Sequence, residues 1–222
     1  MSAPDYLLWL RIIFDHPVED PPWHWDDDFD DDEFWYSNGF DERSTLSFFT
    51  KLLLDPSPLD AYNRDQVAQG LWFLLGDSTP GGPQKAVFES SLSLNDRIAC
   101  VEAIVPFFRD WVIPQTPSSI HDEGSGDSLT GTIFMWWDVF ASRGSSDPSE
   151  RPIDLACLQV MQEILMMDLS ICRESALHGL GHWHESYPEA VERIIGEFLD
   201  REVAIEPDLR RYALQAQEGS VQ

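Results

Sequence analysis

"ICRESALHGLGHWHESYPEAVERIIGEFL", residues 171–199, decides the fold class. Its second half sets Val191, Ile194, Ile195, Phe198 and Leu199 at i, i+3, i+4, i+7 and i+8, the spacing of a single helical face. Pro188 suits a helix start, and Ser186 with Glu189 has the spacing of a capping box. The first half is also helical, although it carries Gly179 and Gly181. Each glycine costs a helix interior about 1 kcal/mol relative to alanine. Such a cost is explained if the backbone of a neighbouring helix approaches closely there.

Outward from this pair the same punctuation recurs. In "STLSFFTKLLLD" Ser44 is placed to cap a helix whose buried face is Leu46, Phe49, Leu52 and Leu53. In "NRDQVAQGLWFLLG" Asn63 and Gln66 form a second capping-box spacing, with Gly76 at the stop. "LNDRIACVEAIVPFFRDWV" aligns Ile98, Val101, Val105, Phe108 and Val112, and Pro106 predicts a kink. "GTIFMWWDVF" reads as a short aromatic helix. "PIDLACLQVMQEILMMDL", opened by Pro152 and apolar nearly all round, reads as the central, most buried helix. "PDLRRYALQAQ" closes the series after Pro207, and Ser-, Pro- and Gly-rich linkers separate the helices.

The predicted class is therefore all-α. Gln69-Gly70-Leu71 and His178-Gly179-Leu180 occupy equivalent places in similar helices. This faint self-similarity favours a HEAT- or armadillo-like α-solenoid of antiparallel helix pairs, with an irregular helical bundle as the alternative. Residues 1–43 are expected to be an N-terminal helix plus an acidic, aromatic segment packed on the core. Residues 44–222 form the helical-repeat region, and the whole is read as a single domain.

"YNRDQVAQGLWFLLG", "MWWDVF" and "CRESALHGLGHWHESYPEAVERIIGEFL", in that order, resemble a group of uncharacterised bacterial proteins with HEAT-like helical folds. The similarity covers roughly residues 44 to 217. It implies a helical fold and a bacterial origin, and it carries no catalytic residue across.

Composition narrows the function. With 40 acids against 14 bases, a net charge of -26 repels a phosphate backbone, so direct binding of nucleic acid is disfavoured. The same field speeds encounter with a basic partner. Cys100, Cys157 and Cys172 lie inside apolar helical patterns and read as buried, reduced thiols, which points to the cytoplasm. "YLLWLRIIF" carries Arg11, and no run approaches the roughly 18 apolar residues that span a bilayer, so neither export nor a membrane anchor is expected.

The densest charge lies in "WHWDDDFDDDEFWYSNGF", residues 23–40; eleven of the 40 acids fall between Glu19 and Glu42, with no Lys or Arg among them. Neither register fits an EF-hand, because the sixth and twelfth residues are Asp31 and Ser37 from Asp26, or Glu33 and Gly39 from Asp28. A disordered acidic loop is usually poor in aromatics, whereas this one is crowded with them. Two readings follow. The rings anchor the segment and the acids face water, or acids and exposed rings together form an interface. The interface reading assigns partner binding to Trp23, Trp25, Asp26, Asp27, Asp28, Asp30, Asp31, Asp32, Glu33 and Trp35.

A second constellation lies on residues 171–199. Glu174, His178 and His182 follow one another at single-turn intervals, as a carboxylate and two imidazoles at a metal would. The zincin motif needs Glu directly after the first His, and Gly179 stands there. "GDSL", Gly126–Leu129, names a hydrolase family but lacks that family's strand context. No P-loop, dinucleotide fingerprint, G-x-S-x-G elbow or C-x-x-C pair is present. The sequence thus predicts no catalysis, no cofactor and no resident metal. It predicts an acidic cytoplasmic binding protein, an inhibitor or immunity protein that captures a basic protein partner such as a toxin. A metal-dependent hydrolase built on Glu174, His178 and His182 is the alternative, and a structural scaffold the third reading.

Overall fold

The computed structural model describes residues 5–26, 29–88, 91–116, 127–145, 147–201 and 205–221, and every regular element among them is helical. Contacts divide the chain into two compact units, Met1–Ile104 and Val105–Gln222. No helix among the described residues is long and apolar enough to cross a membrane.

The first unit begins with α1 (Tyr6–Phe14), whose N-terminus is capped by Asp5 and whose inner face is Trp9, Leu10, Ile13 and Phe14. A 3-10 turn (Trp23–Trp25), α2 (Asp31–Ser37), α3 (Glu42–Leu54), a second 3-10 turn (Ser57–Ala61) and α4 (Arg64–Gly76) follow. α5 (Pro83–Phe88) and α6 (Leu94–Glu102) complete the unit. α1 packs on α4 at Gly70, where a Cβ would lie 2.3 Å from Cδ1 of Phe14, so only glycine admits that ring. α5 contacts α3, α4 and α6, and Arg97 of α6 donates Nε to the Val87 carbonyl at 2.6 Å.

Asn63 accepts from the Gln66 amide while the Gln66 side chain accepts from that of Asn63, the expected box at the start of α4. At α3 the cap is Asp41 rather than Ser44. Ser44 is the reciprocal partner, its Oγ accepting from the Asp41 amide, so the helix is capped three residues earlier than expected.

Pro106 lacks the N–H that would close a turn, and the helix is interrupted nearby. α6 stops at Glu102, α7 (Ile104–Phe107) runs into a π turn (Phe108–Val112), and α8 (Ile113–Gln115) ends the stretch. In the second unit follow α9 (Ser128–Phe134), α10 (Trp136–Phe140), α11 (Arg151–Leu165), α12 (Ser170–Trp183), α13 (Pro188–Leu199) and α14 (Pro207–Gln217). The aromatic helix expected from "GTIFMWWDVF" is thus two helices that break at Met135.

The central helix is α12, not α11. α12 packs against α9, α10, α11, α13 and α14, and its buried set includes Ser175, Ala176, Gly179 and Gly181. Small side chains let five helices reach one axis, whereas α11 turns Leu155, Gln159 and Glu163 to solvent. A Cβ on Gly179 would lie 2.5 Å from that of Trp137, which is the close helix approach its cost implied. The expected box at α13 does not form. Tyr187 precedes the helix without a side-chain cap, and the Ser186 amide instead bonds the Trp183 carbonyl. Asp154 of α11 accepts from the Ser145 amide (2.9 Å) and the Tyr187 hydroxyl (2.7 Å), tying the loop before α11 to the turn before α13. All three cysteines are buried free thiols, and burial pushes those of Cys100 and Cys172 up to about 12.

Candidate functional site

In the first unit the acidic segment is fastened by its rings. Trp23 stacks on His16 at 3.9 Å and meets Phe29, Phe34 and Phe73 at 5.1, 5.8 and 4.9 Å. Trp35 is fully buried, stacks on Phe73 of α4, and donates its indole N–H to Asp77, which also accepts from Thr79. Trp35 is therefore part of the floor of this segment and is out of a partner's reach. One residue on, a turn of about 100° carries Tyr36 outward, where it is 87% exposed, and Trp25 is 57% exposed. Most rings anchor, as the first reading of this stretch held, and two remain open.

Beside α2 and the start of α3 lies a groove of about 930 Å³. Asp30, Glu33, Asp41 and Glu42 line it with Tyr36, Phe40 and a single base, Arg43. Two of the acids are held in place by capping. Asp30 accepts from the Glu33 amide at the start of α2, and Asp41 from the Ser44 amide at the start of α3. The hydrogen bonds from Ser44, backbone first, hold the Asp41 carboxyl below the usual carboxylate range, so it is ionised at neutral pH. Asp26 is exposed and borders a smaller recess with Glu19, Asp20 and Trp23. Asp27 and Asp28, and the side chains of Asp31 and Asp32, lie outside the described residues.

In the second unit a different group converges. His178 and His182 stand one turn apart on α12, and their Nε2 atoms are 3.3 Å apart. Nε2 of His182 is also 3.5 Å from Oδ1 of Asp138 on α10. These three ligand atoms lie within 4.8 Å of one another. Behind them, Nδ1 of His178 meets the Tyr212 hydroxyl of α14 at 2.7 Å. Burial, then the neighbouring His182, lowers the His178 pKa to about 4, so its imidazole is neutral at physiological pH. Burial, then the Glu174 charge, raises the Tyr212 phenol well above its ordinary value.

The sequence named Glu174 as the carboxylate of this group, and the structure supplies Asp138 instead. Glu174 is buried a turn before His178 and acts on Tyr212. Nothing in the local spacing of residues 171–199 betrays Asp138, which comes from a helix some 40 residues earlier. The one available signal was Gly179, where a Cβ would collide with Trp137 of α10; Gly181 instead makes room for Val221. The "GDSL" letters have a structural use: Asp127 caps α9 by accepting from the Thr130 amide, and Gly126 lies outside the described residues. Compared with protein-family models, curated proteins and solved structures, the chain has no match.

Proposed function

We propose that this protein binds a basic protein partner in the acidic groove beside α2 and α3 and does so as an inhibitor or immunity protein, without catalysis of its own. One observation carries the reading. Four carboxylates, two of them fixed as helix caps, surround an open groove whose edge presents the exposed ring of Tyr36. An aromatic anchor supplies affinity, and surrounding like charge supplies steering and selection for a cationic surface. The chain's net charge of -26 extends that field beyond the groove. The buried thiols support a reducing, cytoplasmic setting. Between the two helical arrangements the sequence allows, the five-sided packing of α12 favours an irregular bundle for residues 105–222, because a solenoid helix meets mainly its neighbouring repeats.

The test separates the groove from charge in general. Asp30→Asn with Glu33→Gln removes two groove charges, and asparagine retains the cap at the start of α2. Glu185→Gln with Glu218→Gln removes two exposed charges that do not line the groove. Association of a lysine-rich peptide should slow about tenfold in the groove variant at low salt and far less in the control. The difference should shrink as ionic strength rises past about 0.15 M, where the screening length is roughly 8 Å. Equal slowing in both variants counts against a groove and reduces the effect to overall charge.

A further inference from the structure

We propose that Nε2 of His178, Nε2 of His182 and Oδ1 of Asp138 form a three-ligand site for a divalent transition-metal ion of the zinc type, with solvent completing its coordination.

A tetrahedral zinc with bonds of about 2.0–2.1 Å holds its ligand atoms roughly 3.3–3.4 Å apart. The two imidazole nitrogens are 3.3 Å apart, and His182 Nε2 lies 3.5 Å from Asp138 Oδ1. Two edges of such a polyhedron are thus already near their length, and the third, from His178 Nε2 to Asp138 Oδ1, is no longer than 4.8 Å.

Three electron-rich atoms converge on one point, and a carboxylate oxygen can only accept. Only one proton fits between the two imidazole Nε2 atoms: on His178 it leaves His182 Nε2 with nothing to donate to Asp138, and on His182 it has to serve both neighbours. A cation at the common point satisfies all three at once. Two imidazoles and a carboxylate are the donor set of zinc and the neighbouring first-row ions, whereas magnesium and calcium prefer oxygen alone.

The Tyr212 hydroxyl at 2.7 Å from His178 Nδ1 fixes the ring orientation and leaves Nε2 as the ligating atom. Gly179 lets α10 lie against α12 and so brings Asp138 across from another helix. Side chains of His182 and Asp138 are each 32% exposed, so the site has a solvent-facing side where water takes the open position.

The experiment titrates the full chain with zinc at neutral pH in the presence of millimolar magnesium, which occupies weak carboxylate clusters. One zinc per chain is expected, with micromolar or tighter affinity. His182→Ala and Asp138→Asn should each weaken it more than tenfold while circular dichroism stays helical. Tyr212→Phe should weaken it about tenfold, the effect of losing a partner that orients a ligand. His184→Gln, at a histidine that pairs with Glu192 instead, should leave it unchanged. Cobalt bound at the same stoichiometry should give a visible absorption that His182→Ala abolishes. Zinc binding that survives His182→Ala, that falls equally in His184→Gln, or that millimolar magnesium abolishes overturns the proposal.

Discussion

A Gly179→Leu variant is expected to lose about 3 kcal/mol or more of stability, seen as a lower urea midpoint and a loss of native tryptophan fluorescence. The first atom added already collides. A Cβ at this position lies 2.5 Å from Cβ and 2.7 Å from Cγ of Trp137, and 2.9 Å from Sδ of Met161. Met161 is flexible, but the Cβ of Trp137 is fixed to the α10 backbone, so relief requires α10 and α12 to separate. Even Gly179→Ala has a predicted sign. Alanine gains about 1 kcal/mol of helix propensity, and overpacking of a tight core costs about 1–3 kcal/mol, so the net effect is destabilising. A raised midpoint for Gly179→Ala would show that these helices do not approach as closely as described.

Trp35→Ala is expected to cost about 3–5 kcal/mol, the range for emptying a buried aromatic site. Trp35 is fully buried, stacked at 5.7 Å on Phe73, and bonded to Asp77 at the end of α4. It is the bolt between α2, which carries one wall of the groove, and the body of the first unit. Trp35→Phe divides the two contributions, since it keeps the ring stack and removes the indole donor. The expected loss is then about 1 kcal/mol, the range for one hydrogen bond, because Asp77 keeps its bonds from Thr79. If Trp35→Ala proved neutral in denaturant unfolding, the ring would be solvent-facing and would not fasten α2 to α4.

These two positions also show what the sequence could and could not disclose. Local features were legible. The Asn63–Gln66 box, the break near Pro106 and the close approach at Gly179 each follow from covalent or helical geometry within a few residues. Caps that compete with a neighbouring alternative were less so. Asp41 takes the role assigned to Ser44, and the Ser186 amide turns back to Trp183, leaving α13 to open on Pro188 alone. Burial rank was misjudged between α11 and α12, because apolar content points to α11 while the small side chains that admit more neighbours lie on α12.

The two candidate sites divide along the same line. The acidic segment was visible as composition, yet which of its rings face inward depends on the start of α2, which sets Trp35 inside and Tyr36 outside. His178 and His182 were visible as an i, i+4 pair. Their third member was not, because Asp138 reaches them through packing between α10 and α12 rather than through spacing.

The most direct test of the acidic-groove account is an amide chemical-shift map of the labelled protein titrated with a lysine-rich peptide at about 0.15 M salt. Shifts should concentrate on Tyr36, Ser37, Phe40, Arg43 and Gly81, the residues that line the groove beside its carboxylates. Shifts spread evenly over acidic surfaces of both units, with no maximum there, would contradict it.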